Sequence, residues 1–222
     1  MSESLKTAKS QIRRVPSRGI YNRDEVYQIL DQTFLCHVSF NLGGKPFMIP
    51  TSYGRKDDTI YLHGSVKSQM ITALAKEMDL CFCVTFLDGL VLARSAFHHS
   101  INYRSVILYG KAERVEDEIE KNEGLKIITD QIIPGRWEEA RQPTEAELKA
   151  TAVLKFKIEE GAAKIRAAGP SDDQADYGLP IWAGLVPLQQ QVTSVIPDPL
   201  MTQDLEIPAS VVNYLKDFDA KF

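Results

Sequence analysis

The chain has 222 residues, of which 44% are apolar, so it can form one domain with a sizeable hydrophobic core. Its net charge of −4, from 26 basic and 30 acidic residues, argues against a broad surface for nucleic acid. Three cysteines exclude a fully paired disulfide framework, and no apolar run reaches the roughly 20 residues of a membrane helix. We therefore expect a cytoplasmic protein with neither a nucleic acid nor a membrane as partner.

The N-terminal third of the chain predicts a helix followed by three short strands. Residues 1–18 are polar and basic, and we expect them to form a flexible arm. A helix is predicted to begin at Asn22, whose side chain can cap it, and to end near Thr33. The strands that follow, joined by turns of hairpin length, are Phe34–Phe40, Phe47–Tyr53 and Thr59–His63.

The rest of the chain alternates between strand and helix patterns. Towards the middle we predict a helix over Lys67–Glu77, strands over Leu80–Phe86 and Leu90–Ala96 around a turn at Leu87-Asp88-Gly89, and a strand over Tyr103–Glu113. Further on we predict helices over Asp117–Ile132, Glu159–Ala167 and Pro208–Phe218, a strand over Thr151–Ile158, and a loop over Gly169–Pro187. Six or seven strands in hairpins favour a closed or half-closed antiparallel barrel.

The segment His63-Gly64-Ser65-Val66-Lys67-Ser68 has the composition of a phosphate site. It joins a strand end to a predicted helix start, where free backbone N–H groups attract anions. Glycine allows close approach, and the hydroxyl and ammonium groups can bind phosphate oxygens. A capped helix with a solvated lysine explains the same residues equally well, so both interpretations stay open.

A second segment, Asn102-Tyr103-Arg104-Ser105-Val106, opens the long predicted strand. Tyr103 and Ser105 should point to one face and Arg104 to the other, because side chains alternate along a strand. The planar guanidinium suits a phosphate or a ring carbonyl. A surface arginine beside a packed tyrosine is the alternative.

No metal site is predicted. His98 and His99 are adjacent and would point to opposite faces of a strand, so they do not easily share an ion. Cys81 and Cys83 share a face, but their surroundings are typical of a buried core strand.

These segments, in this order, resemble the FMN-binding split barrels related to pyridoxamine 5′-phosphate oxidase, above all the flavin-nucleotide-binding branch that includes 5-nitroimidazole reductases. The resemblance rests on Pro50-Thr51-Ser52-Tyr53, on the two segments above, and on Leu179-Pro180-Ile181-Trp182-Ala183-Gly184. It implies a mainly β fold, a six-stranded antiparallel split β-barrel with peripheral helices, over residues 19–188. Residues 189–222 would form a C-terminal tail with a short helix.

The resemblance also implies a homodimer with FMN as cofactor in a cleft between the subunits. Carried over by position, the flavin ring, the ribityl chain and the phosphate would be contacted by Met48, Ile49, Pro50, Thr51, His63, Ser65, Lys67, Ser68, Tyr103, Arg104, Ser105 and Trp182. His63 is in addition the candidate for a catalytic role on the substrate side.

Two functions follow from the resemblance. The first is a flavin-dependent oxidoreductase that passes electrons to a small flat acceptor. The alternative is a non-catalytic carrier or sensor that binds a flavin or haem. Pyridoxamine phosphate oxidase activity itself is not expected, because the final residues, Asp217 to Phe222, lack the Arg-x-His motif of those enzymes.

Overall fold

The computed structural model describes residues 4–76 and 78–221, with side chains described up to Lys216. The described strands are β1 (Gly19–Ile20), β2 (Leu35–Leu42), β3 (Lys45–Lys56), β4 (Thr59–Ser65), β5 (Asp79–Leu92), β6 (Ser100–Lys111), β7 (Glu113–Arg114), β8 (Thr151–Lys157), β9 (Glu160–Arg166) and β10 (Gly184–Pro187). The described α-helices are α1 (Arg23–Leu30), α2 (Gln69–Leu74), α3 (Glu118–Ile132), α4 (Arg136–Glu139), α5 (Glu145–Ala150) and α6 (Ala209–Lys221). The predicted features at residues 1–3, Glu77 and Phe222 lie outside the described residues.

The strands form one antiparallel sheet that divides at β3. Their order is β1-β9-β6-β5-β2-β3-β4-β8-β7, and β10 pairs with β5. β3 pairs with β2 over residues 45–52 and with β4 over residues 53–56, so one strand is shared by two parts of the sheet. This confirms the predicted mainly β, antiparallel split barrel, although short added strands raise the strand count above six.

The inner faces of the strands enclose a single apolar core. Phe82, Leu108 and Leu154 are fully buried there, and Tyr53 packs edge-to-face on Phe82 with ring centroids 4.9 Å apart. α1 and α2 add their apolar stripes to this core. A smaller cluster lies on the opposite face of β4 and β8, where Ile128 of α3 packs among Tyr61, Val115 and Val153.

The helix starts follow the local sequence. Asn22 caps α1 by accepting a hydrogen bond from the Glu25 N–H at 3.2 Å, as predicted. Asp117 caps α3 in the same way through the Glu120 N–H at 2.8 Å. α4 and α5 were not predicted. None of the described helices is long and apolar enough to span a membrane.

The prediction of a hairpin turn at Leu87-Asp88-Gly89 is wrong. β5 continues through it and stays paired with β6, with a shift of register between Leu87 and Gly89. The Asp-Gly pair is accommodated as a bulge, because the Asp88 carboxylate binds Arg104 across the ladder and β10 passes close to Gly89. A Cβ on Gly89 would lie 3.1 Å from the Val186 carbonyl oxygen.

The helix predicted over Glu159–Ala167 is also wrong, because this segment is strand β9. It pairs with β6 along residues 160–166, and this pairing outweighs the helical preference of its alanines. Gly161 allows the close approach, since a Cβ there would lie 2.6 Å from the Leu108 side chain. Leu5, in the segment expected to be a flexible arm, is fully buried and accepts a hydrogen bond from the Gly161 N–H.

We expect Gly54→Ala to destabilise the fold. A Cβ on Gly54 would lie 2.7 Å from backbone atoms of Ile127 and Ile128, so α3 would have to move away from β3. Overpacking of this kind costs about 1–3 kcal/mol of the free energy of unfolding, measurable by urea denaturation. Gly169→Ala is the matched control, since a Cβ there has no neighbour within 4 Å. Equal losses in both variants would contradict the proposed packing.

Candidate functional site

The division of the sheet leaves one edge of β3 open. The β3–β4 ladder begins at the pair Tyr53–Leu62, and residues 45–52 pair with β2 on their other side. The end of β4, residues 63–65, pairs with β8. Within the described residues, the edge of β3 that carries Met48–Thr51 therefore has no ladder partner where it faces β4. Its free backbone donors and acceptors border a cleft between the two strands.

Side chains at this edge alternate between the core and the surface. Met48 and Pro50 lie on the outer face, and Met48 is 63% exposed. Ile49 and Thr51 are half-buried, and Ile49 packs against the core. The cleft is therefore bordered by an apolar surface side chain together with polar backbone groups.

The segment after β4 forms a compact turn beside this cleft. The Ser65 hydroxyl accepts a hydrogen bond from the Lys67 N–H at 3.2 Å, and the Ser68 N–H donates to the Ser65 carbonyl at 2.8 Å. Gly64 faces inward, and a Cβ there would lie 3.0 Å from Ile71. α2 has only six residues, so most of the capacity to bind an anion comes from side chains and local N–H groups.

Two polar side chains of this turn, those of Lys67 and Ser68, are available to bind a ligand. Lys67 is exposed, and its ammonium group has no hydrogen bond or ion pair within the described part of the chain. Ser68 occupies the N-cap position of α2, but its hydroxyl makes no capping hydrogen bond. Both groups can therefore bind a phosphate without losing an existing contact.

His63 carries a buried nitrogen without a partner. Its Nδ1 is inaccessible to solvent and has no hydrogen-bond partner among the described residues. Burial lowers the pKa of His63 below its ordinary value of 6.5, so the imidazole is neutral near pH 7. A buried polar atom without a partner is rare, and it indicates a group that the chain alone does not supply.

The second predicted segment lies elsewhere in the protomer. Tyr103 and Ser105 point to the outer face of β6 and Arg104 to the other face, as the alternation predicts. Arg104 donates to both Asp88 carboxylate oxygens at 3.0 and 2.8 Å, contacts Gln32, and stacks on Phe86. Within one protomer it belongs to a different cluster from the Lys67 turn.

Trp182 precedes β10 and is 67% exposed. Its ring lies over Gly184, where a Cβ would come within 2.8 Å of it. Because β10 pairs with β5 at residues 89–92, Trp182 lies at the far end of the β5–β6 ladder. The structure therefore places the predicted residues at four locations: the β3–β4 cleft, the Arg104 cluster, the outer face of β6 with Tyr103 and Ser105, and the segment before β10 with Trp182.

Sequence reasoning missed a cavity of about 690 Å³ next to Arg104, lined by the connection between α1 and β2 and by parts of β2, β5, α3 and the segment after β10. No local pattern marks it, because its walls come from distant parts of the chain. Groups of three or more metal-ligating side chains are absent from the described residues.

The cysteines are not placed for nucleophilic chemistry. Cys36 lies in the core, and burial raises the pKa of its thiol. Cys81 and Cys83 were predicted to lie in the core, but they are half-buried on the outer face of β5. The neighbouring Phe82 and Val84 take the inward positions.

A family model described as pyridoxamine 5′-phosphate oxidase matches residues 22–165. The match spans more than half of the chain, β3, β4 and both predicted segments included. The chain therefore belongs to the pyridoxamine 5′-phosphate oxidase family of split barrels. None of the curated proteins matches the chain.

Two solved structures resemble the whole chain. The flavocytochrome Anf3 from Azotobacter vinelandii is 39% identical, with a TM-score of 0.88 over 93% of this chain and 96% of that one. A FAD and haem binding protein from Mycobacterium smegmatis is 34% identical, with a TM-score of 0.84 over 88% of this chain and 96% of that one. A protein described as a 5-nitroimidazole antibiotic resistance protein from Bacteroides thetaiotaomicron shares the fold, at 24% identity and a TM-score of 0.56 over 66% of this chain and 86% of that one.

We expect His63 to make stability depend on pH. Because its pKa is lower in the folded protein than in the unfolded chain, the unfolded chain binds the proton more readily. The free energy of unfolding should therefore fall as the pH drops below about 6.5. His63→Gln removes this contribution, so urea denaturation at about pH 8 and about pH 5 should show a smaller loss than in the wild type. An unaltered pH dependence in His63→Gln would refute the assignment.

Proposed function

We propose that the protein binds a flavin nucleotide in the β3–β4 cleft and acts as a flavin-dependent redox protein. The observation that carries this proposal is the group of unsatisfied polar side chains at the cleft: the buried Nδ1 of His63, the ammonium of Lys67 and the hydroxyl of Ser68. Membership of a family whose model is named for pyridoxamine 5′-phosphate oxidase supports it.

The turn after β4 fits the phosphate end of a flavin. Lys67 supplies a positive charge, Ser68 a hydroxyl donor, and Ser65 holds the turn in shape through the Lys67 N–H. This set suits a single phosphate group, so FMN is the expected cofactor. The M. smegmatis relative is described as FAD-binding, so chromatography of the flavin released from denatured protein separates the two forms.

The open edge of β3 fits the flavin ring. Backbone N–H and C=O groups of Met48–Thr51 can hydrogen-bond the polar edge of the ring, and the exposed Met48 side chain can shield it from water. Once bound, the flavin supplies hydride or electron transfer. The protein's own residues orient the ring and exclude water from it.

His63 is the candidate catalytic residue. Its ring is neutral near pH 7, so it can accept a proton from a substrate or donate a hydrogen bond to it. A neutral base of lowered pKa suits a small acceptor that carries little charge, such as a flat nitroaromatic molecule.

We also propose that the protein is a homodimer. The outer face of β3 and β6 carries exposed apolar side chains, among them Met48 and Ile107. Apolar patches of this kind commonly mark protein interfaces. Tyr103 and Ser105 lie on this same face, and a second copy could bring them, together with Trp182, to the β3–β4 cleft of its partner.

A second candidate function is that of a flavocytochrome or of a flavin and haem carrier without turnover. Two relatives that cover most of the chain favour it, since one is called a flavocytochrome and the other a FAD and haem binding protein. Turnover distinguishes the two functions. Reduction by NADH or NADPH and reoxidation by nitroaromatic acceptors should exceed the rate of free flavin for an oxidoreductase, and match it for a carrier.

We expect Lys67→Ala to weaken flavin binding about 10- to 100-fold, because a charge-assisted hydrogen bond to phosphate contributes about 1.5–3 kcal/mol. Titration of the apoprotein with FMN, followed by flavin fluorescence, measures the change. Lys149→Ala is the control, since this lysine is an exposed helix residue paired with Glu145. An unchanged affinity in Lys67→Ala would place the phosphate elsewhere.

We expect Ile107→Asp to convert the dimer to a monomer and to reduce flavin binding with it. A charge at the centre of the outer face cannot be buried without a partner. Light scattering after size exclusion gives the mass, and absorbance gives the flavin content. The control is Ile119→Asp, an 82% exposed position on α3. A wild-type protein that is a monomer and still binds flavin tightly would rule out the shared site.

A further inference from the structure

The cavity beside Arg104 has the size of a cofactor pocket. Its volume is about 690 Å³, within the range of about 300–1,000 Å³ that is usual for small-molecule sites. It lies among the end of α1, the start of β2, the bulged end of β5, and the segment that follows β10. The flavin residues of the β3–β4 cleft do not line it.

One wall of the cavity is formed by apolar side chains. Phe34, Leu35, Phe86 and Leu87 line it, together with Leu188 from the segment after β10. Leu35 and Leu87 are each about half exposed in the chain alone. These side chains offer apolar contact area to a ligand.

His37 is the histidine that lines this cavity. It is exposed on the outer face of β2, and its ring makes no hydrogen bond or ion pair within the described residues. The other three histidines are differently placed. His98 lies 3.4 Å from the Asp173 carboxylate, His99 Nδ1 accepts the Ala93 N–H, and His63 belongs to the flavin cleft.

The charged groups of the cavity are already balanced. Its three carboxylates are paired with basic side chains: Asp31 with Arg55, Asp88 with Arg104, and Asp130 with Lys126. A ligand there does not have to neutralise them. An amphipathic ligand would place its apolar part against Phe86 and Leu87 and direct its carboxylates to solvent.

We propose that this cavity is a haem site and that the His37 imidazole ligates the iron. The proposal rests on the haem-binding candidate function above and assigns the residue that would carry it. A histidine imidazole is a common proximal ligand for haem iron. His37 pairs with Pro50 of β3 in the ladder, so the residue that would hold the haem lies on the strand next to the proposed flavin edge.

The test titrates the full-length protein with haemin and follows the Soret band. The wild type should form a complex with one haem per chain, and His37→Ala should lose the Soret band of ligated haem while keeping its flavin absorbance. His37→Gly should lose it as well and regain it when imidazole is added, which a merely structural role would not produce. His99→Ala is the matched control and should bind haem like the wild type.

Three results would overturn the assignment. These are a wild-type Soret titration without stoichiometric binding, a His37→Ala variant with wild-type affinity, and loss of haem in His63→Ala or His99→Ala instead. Flavin content is read in the same samples. A protein that holds flavin but no haem refutes the haem site alone, whereas a protein without flavin refutes the proposed flavin function separately.

Discussion

The change of pairing partner within β3 is the constraint on which the rest of the structure depends. Up to Ser52 the strand belongs to the ladder with β2, and from Tyr53 it belongs to the ladder with β4. Tyr53 secures this point, because it is fully buried, donates its hydroxyl to the Leu30 carbonyl at 2.6 Å, and packs on Phe82. The open edge, and with it the β3–β4 cleft, follows from this one branch in the sheet.

Helix α3 holds the other side of the branch in place. Gly54 allows its backbone to approach β3 closely, and Gln131 donates to the carbonyl oxygens of Leu30 and Thr33. The same helix contributes to the wall of the Arg104 cavity. α3 therefore contacts both the strand that branches, β3, and the wall of the Arg104 cavity.

The site residues fall into two groups: those whose contacts lie within a few residues in the sequence, and those whose contacts lie far away in the sequence. The turn from His63 to Ser68 is contiguous, so its capacity for phosphate is visible in the sequence. The alternation that separates Arg104 from Tyr103 and Ser105 is equally local and was predicted correctly. The pairing of Arg104 with Asp88 was not predicted, because it depends on a bulge that replaces the expected hairpin turn.

The sequence by itself determined the helix cap at Asn22, most strands, and the fold class, because these depend on side-chain periodicity and on hydrogen bonds between near neighbours. Only the tertiary structure decided that residues 160–166 form a strand, that Leu5 is buried, and that His37 lines a cavity. Each of these depends on pairing between segments far apart in the chain. The stability of that pairing depends on the register of the whole sheet and cannot be inferred from any local stretch of residues.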